Sequence, residues 1–132
     1  PRSPEVRVDA LPSTRHVRVL IDDEVVADSV RPTILYETGL PPRYYLPKTD
    51  VRMDLLEATD LTTACPYKGT ASYYSVTTAD ATAENVVWWY PAPVKESADV
   101  AGMVSFYNEK VDIKVDGELE SKPRPCSRNP CR

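Results

Sequence analysis

Apolar and polar residues alternate in short runs along most of this chain, with a period of two rather than 3.6. In His16-Val17-Arg18-Val19-Leu20-Ile21, the side chains of Val17, Val19 and Ile21 fall on one face, and Glu24-Val25-Val26-Ala27-Asp28-Ser29 follows after only Asp22-Asp23. Two strand-like runs around a two-residue acidic turn predict a β-hairpin. Arg31-Pro32 interrupts the pairing, because proline has no N–H to donate, and Thr33 to Glu37 resumes as a third strand. Thr38-Gly39-Leu40-Pro41-Pro42 reads as a turn into a short strand, Arg43 to Leu46, that Pro47 stops. Val51 and Met53 alternate with polar neighbours before Leu55-Leu56 breaks the period, which predicts a strand over Asp50 to Asp54.

The second half repeats the pattern. Thr70 to Thr77 is rich in β-branched and aromatic residues and predicts a strand, with Glu84 to Tyr90 as its antiparallel partner across a polar loop. Pro91-Ala92-Pro93 ends it. Ser97 to Ala101 fits one helical turn behind a polar cap, closed by Gly102. Met103 to Tyr107 reads as another strand, and Val111, Ile113 and Val115 alternate with Asp112, Lys114 and Asp116 in the last. The chain is therefore expected to be all-β: an N-terminal extension over 1–14, one β domain over 15–117 and a Pro- and Cys-containing tail over 118–132.

Composition sharpens this picture. Thirteen Pro against four Gly, with Val and Thr recurring throughout, disfavours long helices and suits strands joined by stiff corners. At 132 residues, 42% hydrophobic and 27% charged, the chain can build one ordinary domain; two halves would each bury too little apolar surface. No apolar run approaches the roughly 18 residues of a membrane span, and Pro1 to Val8 is charged with no apolar stretch, so the expected compartment is the cytoplasm. A net charge of -4 without a Lys/Arg stripe removes the electrostatic term that dominates nucleic-acid affinity. The aromatic residues all lie between Tyr36 and Tyr107, and eight of them are Tyr. Tyrosine wants both an apolar bed and a polar outlet, which suggests a core open to solvent through a cleft.

Few residues offer chemistry. Cys126 and Cys131 have the spacing of a small disulfide loop, but with a single His (His16) the chain lacks the roughly four ligands that a zinc ion takes, so no metal and no cofactor is expected. Cys65 stands alone in Cys65-Pro66-Tyr67-Lys68-Gly69 and reads first as a small buried residue. Glu37 ends a strand beside apolar Ile34 and Leu35, where desolvation would tune a carboxylate for acid–base work, and Lys68 in a turn can pair with it or hold an anion. A structural ion pair at a sheet corner is the competing reading. Asp28, Arg31, Arg43 and Asp50 read as turn-capping and surface residues. In Tyr44-Tyr45, Tyr73-Tyr74 and Trp88-Trp89-Tyr90, neighbours point to opposite faces of a strand, so one member of each pair can fill the core while the other lines a groove.

Taken in order, Val26-Ala27-Asp28-Ser29, Tyr36-Glu37, Tyr44-Tyr45-Leu46-Pro47 with Asp50-Val51, Cys65-Pro66-Tyr67-Lys68-Gly69 with Ala71 and Tyr73, Trp89-Tyr90-Pro91 and Val104-Ser105-Phe106-Tyr107 resemble the domain-of-unknown-function family four-two-seven, over about Val17 to Val115. The resemblance implies a compact antiparallel two-sheet, β-tent-like domain with a cleft between its sheets, and its recurrent polar positions map onto Glu37, Tyr45, Asp50, Cys65, Lys68 and Trp89. Zinc, held by two Cys pairs in many β-tent relatives, does not carry over to a chain without those pairs. Nor does the family's nucleotidyltransferase label: no Gly-Ser turn precedes a spaced Asp pair here, and Asp22-Asp23 sits in a hairpin turn.

The functional expectation is a domain that binds an unidentified small molecule in an aromatic-lined cleft, with metal-free acid–base catalysis of isomerase, cyclase or hydrolase type as its chemical extension. Glu37 and Lys68 would be the catalytic or anion-holding pair, and Tyr45, Asp50, Cys65, Tyr74 and Trp89 the ligand-binding residues. The alternative is a non-catalytic interaction module. A concave pocket at the aromatics favours the first, a flat apolar patch the second.

Overall fold

A computed structural model describes residues 7–65, 68–92 and 94–122 of the chain. Among these, strands β1 (Val8–Pro12), β2 (Val17–Ile21), β3 (Glu24–Ser29), β4 (Thr33–Glu37), β5 (Arg43–Leu46), β6 (Leu56–Cys65), β7 (Gly69–Thr77), β8 (Thr82–Trp89), β9 (Val104–Phe106), β10 (Asp112–Val115) and β11 (Glu118–Leu119) follow one another, with 3₁₀ turns at Lys48–Asp50, Met53–Leu55 and Lys95–Val100. Every strand pairing among the described residues is antiparallel. One sheet has seven strands in the order β1-β4-β5-β9-β8-β7-β6, the other four in the order β11-β10-β2-β3. The protein is thus an all-β, two-sheet domain without a long helix.

The predicted hairpin is β2–β3, turned at Asp22 and Asp23, both with positive φ (50° and 65°). That left-handed pair matches the right-handed twist of the flanking strands, which is why a two-residue turn suffices. The expected strand over Asp50 to Asp54 is not formed. Two 3₁₀ turns bracket a single bridge between Val51 and Ala27, because the pair Leu55-Leu56 and the tie of Arg52 N–H to Val26 O bend the chain into turns. The helical turn expected at Ser97 to Ala101 is 3₁₀ and starts two residues earlier, at Lys95. β6 went unpredicted. Its ten residues, LEATDLTTAC, show no clean apolar alternation because it is an edge strand, mostly exposed and held by β7 alone. Residues 8–12, assigned above to the N-terminal extension, form β1 at the other edge, paired with β4. Cys126 and Cys131 lie outside the described residues.

Two cores result. The first fills the space between the sheets with aliphatic side chains: Val17, Val19 and Ile21 of β2, Ile113 and Val115 of β10, and Val87, Val104 and Phe106 of the larger sheet. The expected cleft between the sheets is therefore filled by packed side chains, most of them branched aliphatics. The second core lies on the opposite face of the seven-stranded sheet and holds Leu35, Tyr45, Ala71, Tyr73, Trp88, Tyr90, Val100 and Tyr107. Alternation along each strand delivers side chains to both: Tyr44 and Leu46, Tyr74 and Val76, and Val87 and Trp89 face the first core, while Tyr45, Tyr73, Trp88 and Tyr90 face the second.

The hairpin turn yields a direct test. Asp23→Gly relieves a left-handed aspartate at a position glycine occupies without steric cost, and is expected to stabilise the domain by roughly 0.5–1 kcal/mol. Urea denaturation of the two proteins measures the shift; an unchanged or lower midpoint would contradict the turn geometry.

Candidate functional site

The second core has no second sheet over it. β4 and β7 are separated by β5, β9 and β8, so in a flat sheet they would stand at least about 19 Å apart. Yet Lys68 Nζ, at the β6–β7 turn, lies 2.6 Å from Glu37 Oε1 at the end of β4. The larger sheet must therefore curl until these two parts meet, wrapping its aromatic face around itself. Both partners are sealed, with side-chain exposures of 0% for Lys68 and 3% for Glu37. Val100 of the 3₁₀ turn at Lys95–Val100, fully buried, joins the core, and Val8, Ala10 and Met103 pack against it.

Backbone chemistry sets up each partner. Glu37 follows Leu35 at a spacing of two on β4 and shares its inward face, while Tyr36 between them is exposed. Lys68 precedes Gly69, whose φ of +91° turns the chain into β7 in a conformation that a side chain disfavours. Cys65, a buried thiol outside any disulfide, is in register with Gly69.

Inside the curl, polar groups are threaded through the rings. The Trp88 Nε1–H donates to Tyr45 Oη at 2.9 Å, and the two rings meet edge to face at 6.0 Å. The hydroxyls of Tyr73 and Tyr107 are 3.1 Å apart, and Thr63 Oγ1 lies 2.9 Å from that of Tyr73. Burial pushes the Tyr45 phenol well above its ordinary range, against the hydrogen bonds of Trp88 and Tyr90. Burial likewise raises Tyr90, followed by the fields of Tyr45 and Cys65. Both phenols stay protonated, so the core presents hydroxyls and no phenolate.

A second buried ion pair belongs to the same core. Arg43, two residues before Tyr45 on β5, makes two hydrogen bonds to Glu109, Nη1 to Oε1 at 2.7 Å and Nη2 to Oε2 at 3.1 Å, and its Nη1 also donates to Asn108 Oδ1 at 3.0 Å. Its guanidinium lies 5.4 Å from the Trp88 centroid and 5.6 Å from that of Tyr107. Read from sequence as a surface residue, Arg43 is 2% exposed. The signal for its position was present in the i, i+2 spacing to Tyr45; nothing in the sequence pointed to Glu109 as its partner.

The residues singled out from sequence thus divide. Glu37, Lys68, Tyr45 and Cys65 belong to the aromatic-core side. Tyr74 and Trp89 lie on the other face of the sheet, stacked at 6.2 Å, with Lys48 Nζ 3.5 Å from the Trp89 centroid, so the sheet itself separates them from Tyr45. Asp50 accepts from Ser29 Oγ at 2.7 Å and Arg31 Nε at 3.1 Å, tying a 3₁₀ turn to the end of β3; the Arg31 hydrogen bond holds its carboxyl below the usual range. Tyr73, Trp88, Tyr90, Tyr107 and Arg43 complete the site that sequence reading left unassembled. Trp88 and Tyr90 were findable, since a spacing of two places them on one face. Beside the pair, Arg7, Asp9, Tyr36, Glu37, Thr38 and Leu40 line a groove on the β1–β4 side. Among the described residues no cluster of His, Cys, Asp and Glu is suited to a metal ion, and no helix is long and apolar enough to cross a membrane.

The two classes of ion pair differ in expected cost. Arg43→Leu removes the bidentate partner of buried Glu109 and is expected to cost about 3–5 kcal/mol, whereas Arg52→Ala, which removes the exposed contact to Asp54, should leave stability nearly unchanged. Chemical denaturation of both variants checks the contrast; equal losses would refute the burial of Arg43.

No curated protein matches the chain. A family model, described as a domain of unknown function (DUF427), matches residues 9–117, from β1 through the turn before β11, and so takes in both ion pairs and the whole aromatic core. The transferase wording in that family's label is a name alone. With most of its length inside that match, the chain belongs to the DUF427 domain family.

Proposed function

We propose that this domain binds a small molecule in the aromatic core of its curled sheet, with the Glu37–Lys68 pair as the polar element that the ligand engages. The observation that carries this reading is the sealed 2.6 Å contact between these two side chains. A carboxylate and an ammonium removed from water are a costly way to close a seam that apolar side chains would close as well. The same contact gives the pair a chemical capacity: a proton can be taken by Glu37 or given by Lys68 at a ligand that comes between them, without a metal. Tyr45 and Tyr90, kept as neutral phenols, supply hydrogen bonds to such a ligand. The groove at Glu37 is the approach from solvent, and a reducing, cytoplasmic compartment in which Cys65 stays a thiol belongs to this reading.

The burial of the aromatic cluster counts against an interaction module built on these rings. Tyr45, Trp88 and Tyr90 are at most 2% exposed, so they present no flat apolar patch to a partner.

Burial also dictates how the proposal is tested. Glu37→Gln or Lys68→Met alone strands one buried charge and should destabilise the fold by several kcal/mol, about 3–5 in comparable cases. The double variant Glu37→Gln/Lys68→Met removes both charges and should recover most of that loss. A thermal-shift screen of a metabolite library on the native protein is expected to give at least one stabilising compound whose effect disappears in the double variant. A native protein that no compound stabilises, or compounds that stabilise both proteins equally, would overturn the proposal.

A further inference from the structure

Three buried side-chain atoms among the described residues lack a full set of hydrogen-bond partners: Arg43 Nε and Ser105 Oγ have none, and Glu37 Oε1 has only the Lys68 ammonium. They come from β4, β5 and β9, three consecutive strands of the larger sheet. All three face the aromatic core. Glu37 shares the inward side of β4 with Leu35, and Arg43 that of β5 with Tyr45. Ser105 lies in register between Tyr45 and Trp88, while Val104 and Phe106 on either side of it face the aliphatic core. Among the described residues, no such atom faces the aliphatic core. Buried polar groups in folded proteins are nearly always partnered, so their gathering on one face needs a cause.

What they lack defines a complement. Arg43 Nε–H can only donate, and three of the other four N–H groups are used by Glu109 and Asn108; the group that would complete Nε–H is an acceptor oxygen. Ser105 Oγ, on the neighbouring strand, can donate to the same oxygen or accept a hydrogen bond. Glu37 Oε1, beyond them toward the seam, meets only the Lys68 ammonium and can accept from an N–H or O–H. The charges add a further condition. Glu37 faces Lys68 and Arg43 faces Glu109, so each of these buried charges already has an opposite charge beside it. A charged ligand would bring an uncompensated charge into a site sealed from water, which is strongly disfavoured.

We infer that the ligand of this core is uncharged and pairs an acceptor oxygen with an N–H or O–H donor on a flat apolar body, as aromatic amides do, the oxygen meeting Arg43 Nε–H and Ser105 Oγ beside the rings of Trp88 and Tyr107. This deepens the proposal above and rests on it. The three atoms are closed to solvent here, so the ligand enters by parting the seam at Glu37 and Lys68, and Arg43 Nε and Ser105 Oγ gain on binding the hydrogen bonds they lack in the closed form.

Benzamide, benzoate and benzamidinium share one planar frame and differ in charge, which makes them suitable probes. Titrated into the full-length protein and followed by the Trp88 indole N–H resonance, assigned with the help of a Trp89→Phe variant, benzamide is expected to shift that signal saturably. Benzoate and benzamidinium should bind at least about tenfold more weakly, since 1.4 kcal/mol of charge burial already gives that factor. Ser105→Ala deletes a hydroxyl that has no partner in the free protein, so its melting temperature should hold or rise while benzamide affinity falls about three- to tenfold. Equal binding of the three probes, unaltered benzamide affinity in Ser105→Ala, or no binding of benzamide at all would overturn the inference. In each of those cases, a library compound still lost on Glu37→Gln/Lys68→Met would leave the broader reading of the site standing.

Discussion

A seven-stranded sheet that is apolar on both faces has to cover each of them, and this requirement organises the molecule. The four-stranded sheet covers one face through a layer of Val and Ile side chains. For the other face the chain supplies no second sheet. It is covered by curling the sheet on itself, with β1 and the 3₁₀ turn at Lys95–Val100 contributing Val8, Ala10 and Val100. Tyrosine and tryptophan suit the inside of such a curl, where strand ends and turns bring backbone and charged groups close to the rings and an indole N–H or phenol O–H can be satisfied.

Closing the curl with ions rather than methyl groups has consequences for both stability and chemistry. Each buried charge has its partner, Lys68 with Glu37 and Arg43 with Glu109, and neither pair can lose one member cheaply. The pairs also set the electrostatic character of the core, in which two opposite-charge contacts sit among the aromatic rings. The aliphatic core between the sheets has no comparable polarity. The curled face is the side on which Lys68 and the end of β4 meet.

Much of this was legible in the residues. Period-two patterning gave the β2–β3 hairpin, β4, β5, β7, β8 and β10, and the doubled aromatics gave the rule that neighbours divide between faces. The same rule places Arg43 beside Tyr45 and Tyr90 beside Trp88. Edge strands were less legible: β1 and β6 bury little, so selection for apolar alternation is weak along them. The segment from Lys48 to Leu55 carries strand-like residues but is bent by its contacts to β3, which no local pattern reports.

The sequence by itself determined the class of fold, the position of most strands and the presence of a carboxylate and an ammonium at strand ends, because these follow from local periodicity and turn chemistry. Only the tertiary structure decided that Glu37 and Lys68 touch, that Tyr45 is parted from Tyr74 and Trp89 by a sheet, and that Arg43 is buried against Glu109. Those outcomes depend on the direction and extent of sheet curl, which sums small twists over seven strands and is encoded in no single segment.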